Sequence, residues 1–210
     1  GMTGAVAFDD TFVHYFPDTL DLLELSGAHL RDFSPLSDDG LPDGTDVVYL
    51  GCGQLHRYAG VLAENPCMIT ALRSFARAGG RVYAEGGAAA YLSSQLELAS
   101  GRRLPMAGLL PTIARHNPTA PPPTPAEITV EKECWLATTG DSLRGYKNHT
   151  WRLEPLARVD SIARESAHQL DIIRAGNVIA SSVHLNLVGQ PQTLAQFLST
   201  PASVVHASRF

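Results

Sequence analysis

Two glycine-rich segments hold the residue types most able to do chemistry. Gly51-Cys52-Gly53 ends a β-branched and aromatic run at 46–51, and Gly86-Gly87 follows a second strand-like run, 81–85, whose last residue is Glu85. A glycine turn at the end of a strand is where α/β proteins bring backbone close to a ligand. We therefore predict ligand-binding roles for Gly51, Gly53, Glu85 and Gly87.

The order of strand-like and helix-like segments predicts how these loops are positioned. In the first half, short apolar runs alternate with helical patterns, which is typical of a parallel sheet flanked by helices. Helices are predicted from Pro17 to Gly27 and from Asn65-Pro66 to Gly79-Gly80. Predicted strands lie at 5–8, 29–33, 46–51, 81–85, 104–111, 127–136, 143–153, 171–174 and 178–187, with a hairpin turn at 175–177 and a last helix at 192–198. We therefore predict an α/β fold with a mostly parallel central sheet flanked by helices and with antiparallel strands added in the second half.

The composition limits the classes of function. The 210 residues carry a formal net charge of −5 and no cluster of Lys and Arg, so we expect no nucleic-acid partner. No apolar run is long enough to cross a bilayer, and the N-terminal segment carries Asp9-Asp10 where a signal peptide would carry basic residues. We expect a cytoplasmic protein with no membrane partner, folded as one domain over residues 2–210 with a proline-rich loop at 118–125.

The cysteines and histidines show no metal-binding pattern along the chain. Cys52, Cys67 and Cys134 are widely spaced, and no two of the eight histidines have His-x-x-x-His spacing. Cys52 and His56 have that spacing, but no convincing helix carries them. We therefore expect reduced cysteines, no metal site and no cofactor.

Several motifs, each weak alone, follow one another along nearly the whole chain. They are Tyr-Leu-Gly-Cys-Gly at 49–53, Ala-Glu-Asn at 63–65, Tyr-Ala-Glu-Gly-Gly at 83–87, Leu-Pro-Met-Ala-Gly-Leu-Leu-Pro at 104–111, Leu-Arg-Gly at 143–145 with His149, and Gly-Asn-Val-Ile-Ala at 176–180 running into Val-His-Leu at 183–185. In this order they resemble the glutamine amidotransferase domain of the cobyrinic acid a,c-diamide synthases. The resemblance implies a class I, triad-type glutamine amidotransferase-like fold and a link to cobalamin-type biosynthesis.

The resemblance also implies a reaction, and one residue breaks its pattern. Such domains hydrolyse glutamine with a cysteine thiolate that a histidine activates, and they pass ammonia to an ATP-dependent amide-forming site. His184 stands at the position of the family's base, and His149, similar to a second family histidine, is expected to bind ligand. The nucleophile position is Gly86, because the family's Glu-Cys-Gly-Gly reads Glu85-Gly86-Gly87-Ala88 here. We therefore predict a pseudoenzyme without glutaminase activity that binds a small ligand in the former glutaminase cleft.

A partner and an alternative function also follow. The diamide synthases carry a P-loop synthetase domain, whereas Gly-x-x-x-x-Gly-Lys-Ser/Thr does not occur in this sequence. We therefore expect a separate ATP-dependent synthetase subunit as a partner. In the alternative, the protein is an active amidotransferase or hydrolase in which Cys52 is a relocated nucleophile and His184 its base. A structural interpretation of both residues, as a packed thiol and a hydrogen-bonded strand histidine, stays open.

Overall fold

A seven-stranded sheet lies at the centre of the structure, a computed structural model that describes residues 1–166 and 169–199. The predicted domain therefore includes two segments, 167–168 and 200–210, that lie outside the described residues. Within the described part the elements are β1 (Thr3–Ala7), β2 (Phe12–His14), α1 (Pro17–Leu25), β3 (His29–Phe33), β4 (Val47–Leu50), β5 (Cys52–Gly53), α2 (Leu55–Ala63), α3 (Pro66–Arg77), β6 (Arg81–Glu85), α4 (Gly87–Leu92), β7 (Ser93–Glu97), β8 (Arg103–Pro105), β9 (Leu110–His116), β10 (Thr124–Thr129), β11 (Ser142–Lys147), β12 (Trp151–Pro155), β13 (Asp160–Ala163), β14 (Ile172–Ala175), β15 (Val178–Ser181), β16 (Val183–Leu185), a 3₁₀ turn (Leu187–Gly189) and α5 (Pro191–Leu198).

The central sheet confirms the predicted fold class. Its order is β13-β14-β15-β6-β4-β1-β3, and the five strands from β15 to β3 are parallel, while β13 and β14 are antiparallel additions. Every residue of β4, β6 and β15 is buried. Strands that are covered on both faces consist of nearly continuous apolar residues, which explains why these strands could be predicted from the sequence.

Residues alternate between two apolar clusters along the central strands. Val48 and Val82 pack into one cluster, whereas Tyr49 and Tyr83 face the other, where they contact Phe197 of α5. Because side chains alternate along a strand, Glu85 is directed to the same face as Tyr83. The pleat of β6 therefore carries a carboxylate into the interior at the carboxyl end of the sheet.

Two predicted helices are confirmed, and one helix was not predicted. α1 and α3 begin at Pro17 and Pro66 as predicted, and the Asn65 side chain accepts a hydrogen bond from the Met68 amide at 3.2 Å. Helix α2 was not predicted, although its buried residues Leu55, Ala59 and Leu62 have the spacing of one helix face. Among the described residues, no helix combines the length and apolar character that a bilayer crossing requires.

Two smaller sheets, β10-β11-β16 and β12-β9-β7-β8, form beside the central one. The single strand predicted at 143–153 is wrong, because Asn148 accepts a hydrogen bond from the Thr150 amide at 2.9 Å and the chain turns there from β11 into β12. The strand predicted at 178–187 likewise divides at Ser182, and the one at 104–111 divides at Gly108, whose φ is +68°. The predicted loop at 51–53 is instead β5, which pairs with β2, and the loop at 118–125 ends earlier because β10 begins at Thr124.

Candidate functional site

Gly86 forms the turn between β6 and α4, and both its backbone and its surroundings require glycine. Its φ of +54° with ψ of −121° lies where side chains are strained. A Cβ built on Gly86 would lie 2.7 Å from Sγ of Cys52. A sulfur atom from another strand therefore lies beside the position that a side chain at residue 86 would occupy.

Cys52 reaches this position from β5, directly after the carboxyl end of β4. It is a free cysteine with 7% of its surface exposed. Its sulfur, a carboxylate oxygen of Glu85 and a ring nitrogen of His184 all lie within 4.8 Å of one another. The structure thus brings together four of the predicted site residues, counting Gly86.

Glu85 is fully buried and held by three hydrogen bonds. Its Oε1 accepts from the Tyr83 hydroxyl at 2.6 Å and from the Leu185 amide at 2.9 Å, and its Oε2 accepts from the Tyr49 hydroxyl at 3.1 Å. Burial raises the pKa of Glu85 to about 7, although these hydrogen bonds oppose the rise. Neither tyrosine was predicted as a site residue. For Tyr83 the sequence did contain an indication, because Tyr83 and Glu85 are two residues apart and therefore lie on one face of the strand.

His184 lies on β16 and closes the site from the other side. Its ring stacks on Phe16 with centroids 4.2 Å apart. Nε2 is 3.3 Å from Oε2 of Glu85, but the two groups are not oriented for a hydrogen bond, and Nε2 has no hydrogen-bond partner among residues 1–166 and 169–199. Burial lowers the pKa of the imidazole to about 4, so it is neutral at physiological pH.

The electrostatics of the site keep the thiol protonated. Burial raises the pKa of Cys52 well above its ordinary value, and the nearby Glu85 carboxylate raises it further. Reactive cysteines have the opposite environment, with a cation or a charged histidine that stabilises the thiolate. Cys52 and His184 are therefore adjacent in space but do not form an ion pair at rest.

The other predicted ligand-binding residues lie in different surroundings. Gly51 donates a backbone hydrogen bond to the Tyr15 hydroxyl at 2.9 Å, and a Cβ on Gly53 would lie 1.5 Å from the Thr11 carbonyl oxygen. Close packing therefore accounts for both glycines. Gly87 begins α4 beside the Trp151 indole. His149 lines a cavity beside the elbow, and its Nε2 lies 2.8 Å from the Thr124 hydroxyl.

A cavity of about 840 Å³ lies next to the elbow. Asn148 and Trp151 line it, and both also approach the elbow: Asn148 Cβ is 3.6 Å from the Cβ position of Gly86, and Trp151 Nε1 is 3.4 Å from that of Gly87. Trp151 is 7% exposed, and its Nε1 has no hydrogen-bond partner in the described part of the chain. The cavity is large enough for a small organic ligand.

Comparisons with known proteins agree with this fold. The family model described as CobB/CobQ-like glutamine amidotransferase domain matches residues 5–191. The chain is 34% identical over 203 residues to a cobyrinate a,c-diamide synthase of Syntrophotalea carbinolica, covering 92% of this chain and 44% of that protein. It is 35% identical over 204 residues to a hydrogenobyrinate a,c-diamide synthase of Pseudomonas aeruginosa, covering 95% and 44%. A crystal structure of a glutamine amidotransferase is similar in fold, with a TM-score of 0.69 at 18% identity over 94% of this chain and 97% of that one.

Proposed function

Because the chain belongs to the CobB/CobQ-like glutamine amidotransferase domain family, we propose that it is a pseudoenzyme of that family, without glutaminase activity. Gly86 is the observation that carries the proposal. A thioester intermediate needs a thiol at the elbow, and glycine supplies none. The retained base, His184, has no elbow side chain to activate.

The cavity beside the elbow supports a binding role. Trp151 lines this space, and Asn148 offers a side-chain amide to it. Most of the charged groups around it are already paired, such as Arg115 with Glu97 and Glu154. A small ligand that combines an apolar part with a hydrogen-bond acceptor fits such a cavity better than a multiply charged one.

A synthetase partner is the second part of the proposal. The chain spans less than half the length of the curated relatives it matches, and those relatives are named as a,c-diamide synthases. Amide formation of that kind needs an ATP-dependent site. We propose that an ATP-dependent synthetase is the partner of this domain and that the two act in cobalamin-type biosynthesis.

One observation favours a second candidate function. Sγ of Cys52 lies 2.7 Å from the Cβ position of Gly86, so a sulfur atom remains near the place of the lost nucleophile. With His184 close by, the alternative is an amidotransferase or hydrolase that uses Cys52. The raised pKa of the thiol and the neutral imidazole oppose this alternative.

Covalent labelling distinguishes the two functions. The protein is incubated with the glutamine analogue 6-diazo-5-oxonorleucine and its intact mass is measured, while ammonia release from glutamine is followed in parallel. Cys52→Ala removes the thiol of the site, and Cys134→Ala, which removes another buried free thiol, is the matched control. We expect no adduct and no ammonia. An adduct that is stoichiometric in the wild type and in Cys134→Ala but lost in Cys52→Ala would overturn the proposal in favour of the second function.

A further inference from the structure

Three side chains of different chemistry converge at the elbow, and we propose that Cys52, Glu85 and His184 together bind a divalent metal ion of the zinc type. Their sulfur, oxygen and nitrogen atoms lie within 4.8 Å of one another in the buried interior. We predicted no metal site because the cysteines and histidines lack metal-binding spacing along the sequence. These residues come from three separate strands, β5, β6 and β16, so only the fold brings them together.

The donor set matches zinc chemistry. Zn²⁺ is bound in proteins by thiolate, imidazole and carboxylate ligands. A thiolate and a carboxylate with a neutral imidazole carry two negative charges, which one divalent cation balances. Such balance matters here because Cys52 and Glu85 are almost fully buried, and an unpaired charge in that position is costly.

The distances permit coordination after small side-chain rotations. In a tetrahedral zinc site, bond lengths near 2.0 to 2.3 Å place donor atoms about 3.4 to 3.6 Å apart. His184 Nε2 and Glu85 Oε2 already lie 3.3 Å apart. The same Nε2 makes no hydrogen bond with any residue that the structure describes, so in the tautomer with the proton on Nδ1 it offers a lone pair to a metal ion.

Neighbouring groups hold two of the ligands in place. The Tyr49 and Tyr83 hydroxyls and the Leu185 amide fix the carboxylate, and the Phe16 ring packs against the imidazole. Such outer contacts orient the ligands of metal sites. Gly86 contributes by having no side chain, since a Cβ there would displace the Cys52 sulfur. Three protein ligands leave one coordination position for water or a small ligand.

Metal binding would give the Cys52 sulfur beside Gly86 a role other than that of a nucleophile. Metal binding deprotonates the thiol and releases that proton to solvent. The bound thiolate is then a ligand, unavailable as a nucleophile. This inference is tested separately from the glutaminase prediction, because metal binding is measured on protein that has not been treated with 6-diazo-5-oxonorleucine. A failure to bind metal would leave the glutaminase prediction unchanged.

Cobalt titration tests the proposal. The protein carries Cys67→Ala throughout, because Cys67 is an exposed thiol on α3, and it is treated with a chelator and dialysed before CoCl₂ is added. We expect a thiolate-to-cobalt charge-transfer band and visible bands of four-coordinate cobalt, saturating at one equivalent and abolished by ZnCl₂. Cys52→Ala should remove the charge-transfer band, whereas Cys134→Ala should retain it.

His184→Gln gives an independent readout if the Cys52 variant is poorly folded. It should lower cobalt affinity by about tenfold or more, because changes even to outer partners of a ligand cost that much. Circular dichroism establishes that each variant is folded. Absence of the bands in the wild type, or their persistence in Cys52→Ala, would show that the cluster is not a metal site.

Discussion

At the scale of single residues, Gly86 and Cys52 form a matched pair. The elbow backbone has a positive φ, and the thiol from β5 fills the space that any side chain at position 86 would need. Glycine at position 86 is therefore compatible with a cysteine at position 52, whereas a larger residue at position 86 would collide with the sulfur.

A double-mutant cycle measures that compatibility. Gly86→Ala should destabilise the protein by about 2 to 4 kcal/mol, from backbone strain at positive φ plus the contact with the sulfur. In a Cys52→Ala background only the strain remains, so we expect a coupling of about 1 to 2 kcal/mol in urea unfolding. Gly79→Ala is the matched control for strain, since its φ is +90° and only the Asn177 side-chain nitrogen, at 3.9 Å, lies near its Cβ position. A coupling near zero would mean that the sulfur does not crowd the elbow.

At the scale of elements, one side-chain cap both begins a helix and holds it to a neighbouring loop. Asn65 caps α3 through the Met68 amide, and its side-chain nitrogen also donates to the carbonyls of Pro35 and Asp38 at 3.0 and 2.9 Å. One residue thus starts a helix and ties it to the loop after β3. By contrast, Gln54 precedes α2 without a side-chain cap in the described structure.

Asn65→Ala should therefore cost more stability than Gln54→Ala. Loss of an N-cap costs about 1 to 2 kcal/mol, and the two additional hydrogen bonds place Asn65 at the upper end of that range. The exposed Gln54 side chain accepts a hydrogen bond from exposed Arg57, so its replacement should change the free energy of unfolding by about 0.5 kcal/mol or less. Thermal unfolding of both variants checks this, and equal melting temperatures would contradict it.

At the scale of the whole molecule, a buried ion pair joins the smaller sheets to the central one. Lys147 ends β11, and its Nζ lies 2.8 Å from the Asp171 carboxylate, immediately before β14. Their side chains are 8% and 2% exposed. Asp171 also accepts hydrogen bonds from the Glu165 amide and the Ser182 hydroxyl, so several chain segments meet at this carboxylate.

Asp171→Asn should consequently be destabilising. Removing one partner of a buried pair costs about 3 to 5 kcal/mol when the other charge is left unpaired. Here Glu165, an exposed residue 2.9 Å from Lys147 Nζ, remains as a second partner, so we expect a loss of about 1 to 3 kcal/mol. Glu127→Gln is the matched control, because Glu127 and Arg144 form an ion pair between side chains that are 57% and 67% exposed. That change should alter stability by about 0.5 kcal/mol or less. Urea unfolding at neutral pH measures both, and similar losses would indicate that the Lys147 pair is not buried in solution.

Local signals were sufficient for part of this protein. The strands His29–Phe33 and Arg81–Glu85 have the bounds that the sequence predicted, and Asn65-Pro66 starts a helix as expected. The glycine turn at Gly86-Gly87 was also predicted from the sequence, because a motif match needs only neighbouring residues. These features depend on residue type, periodicity and caps, which act over a few positions along the chain.

The site itself required the tertiary structure. The site joins residues that lie far apart in sequence: Cys52, Glu85 and His184. They meet because β15 pairs with β6 and because the chain leaves the central sheet between β15 and β16. The division of 143–153 between two sheets was also invisible locally, because both halves carry strand-forming residues. Burial then set the charge states of the thiol and imidazole. Sequence alone determined which residue types were present, including glycine at the elbow, whereas packing decided which of them meet, because strand pairing and desolvation are non-local.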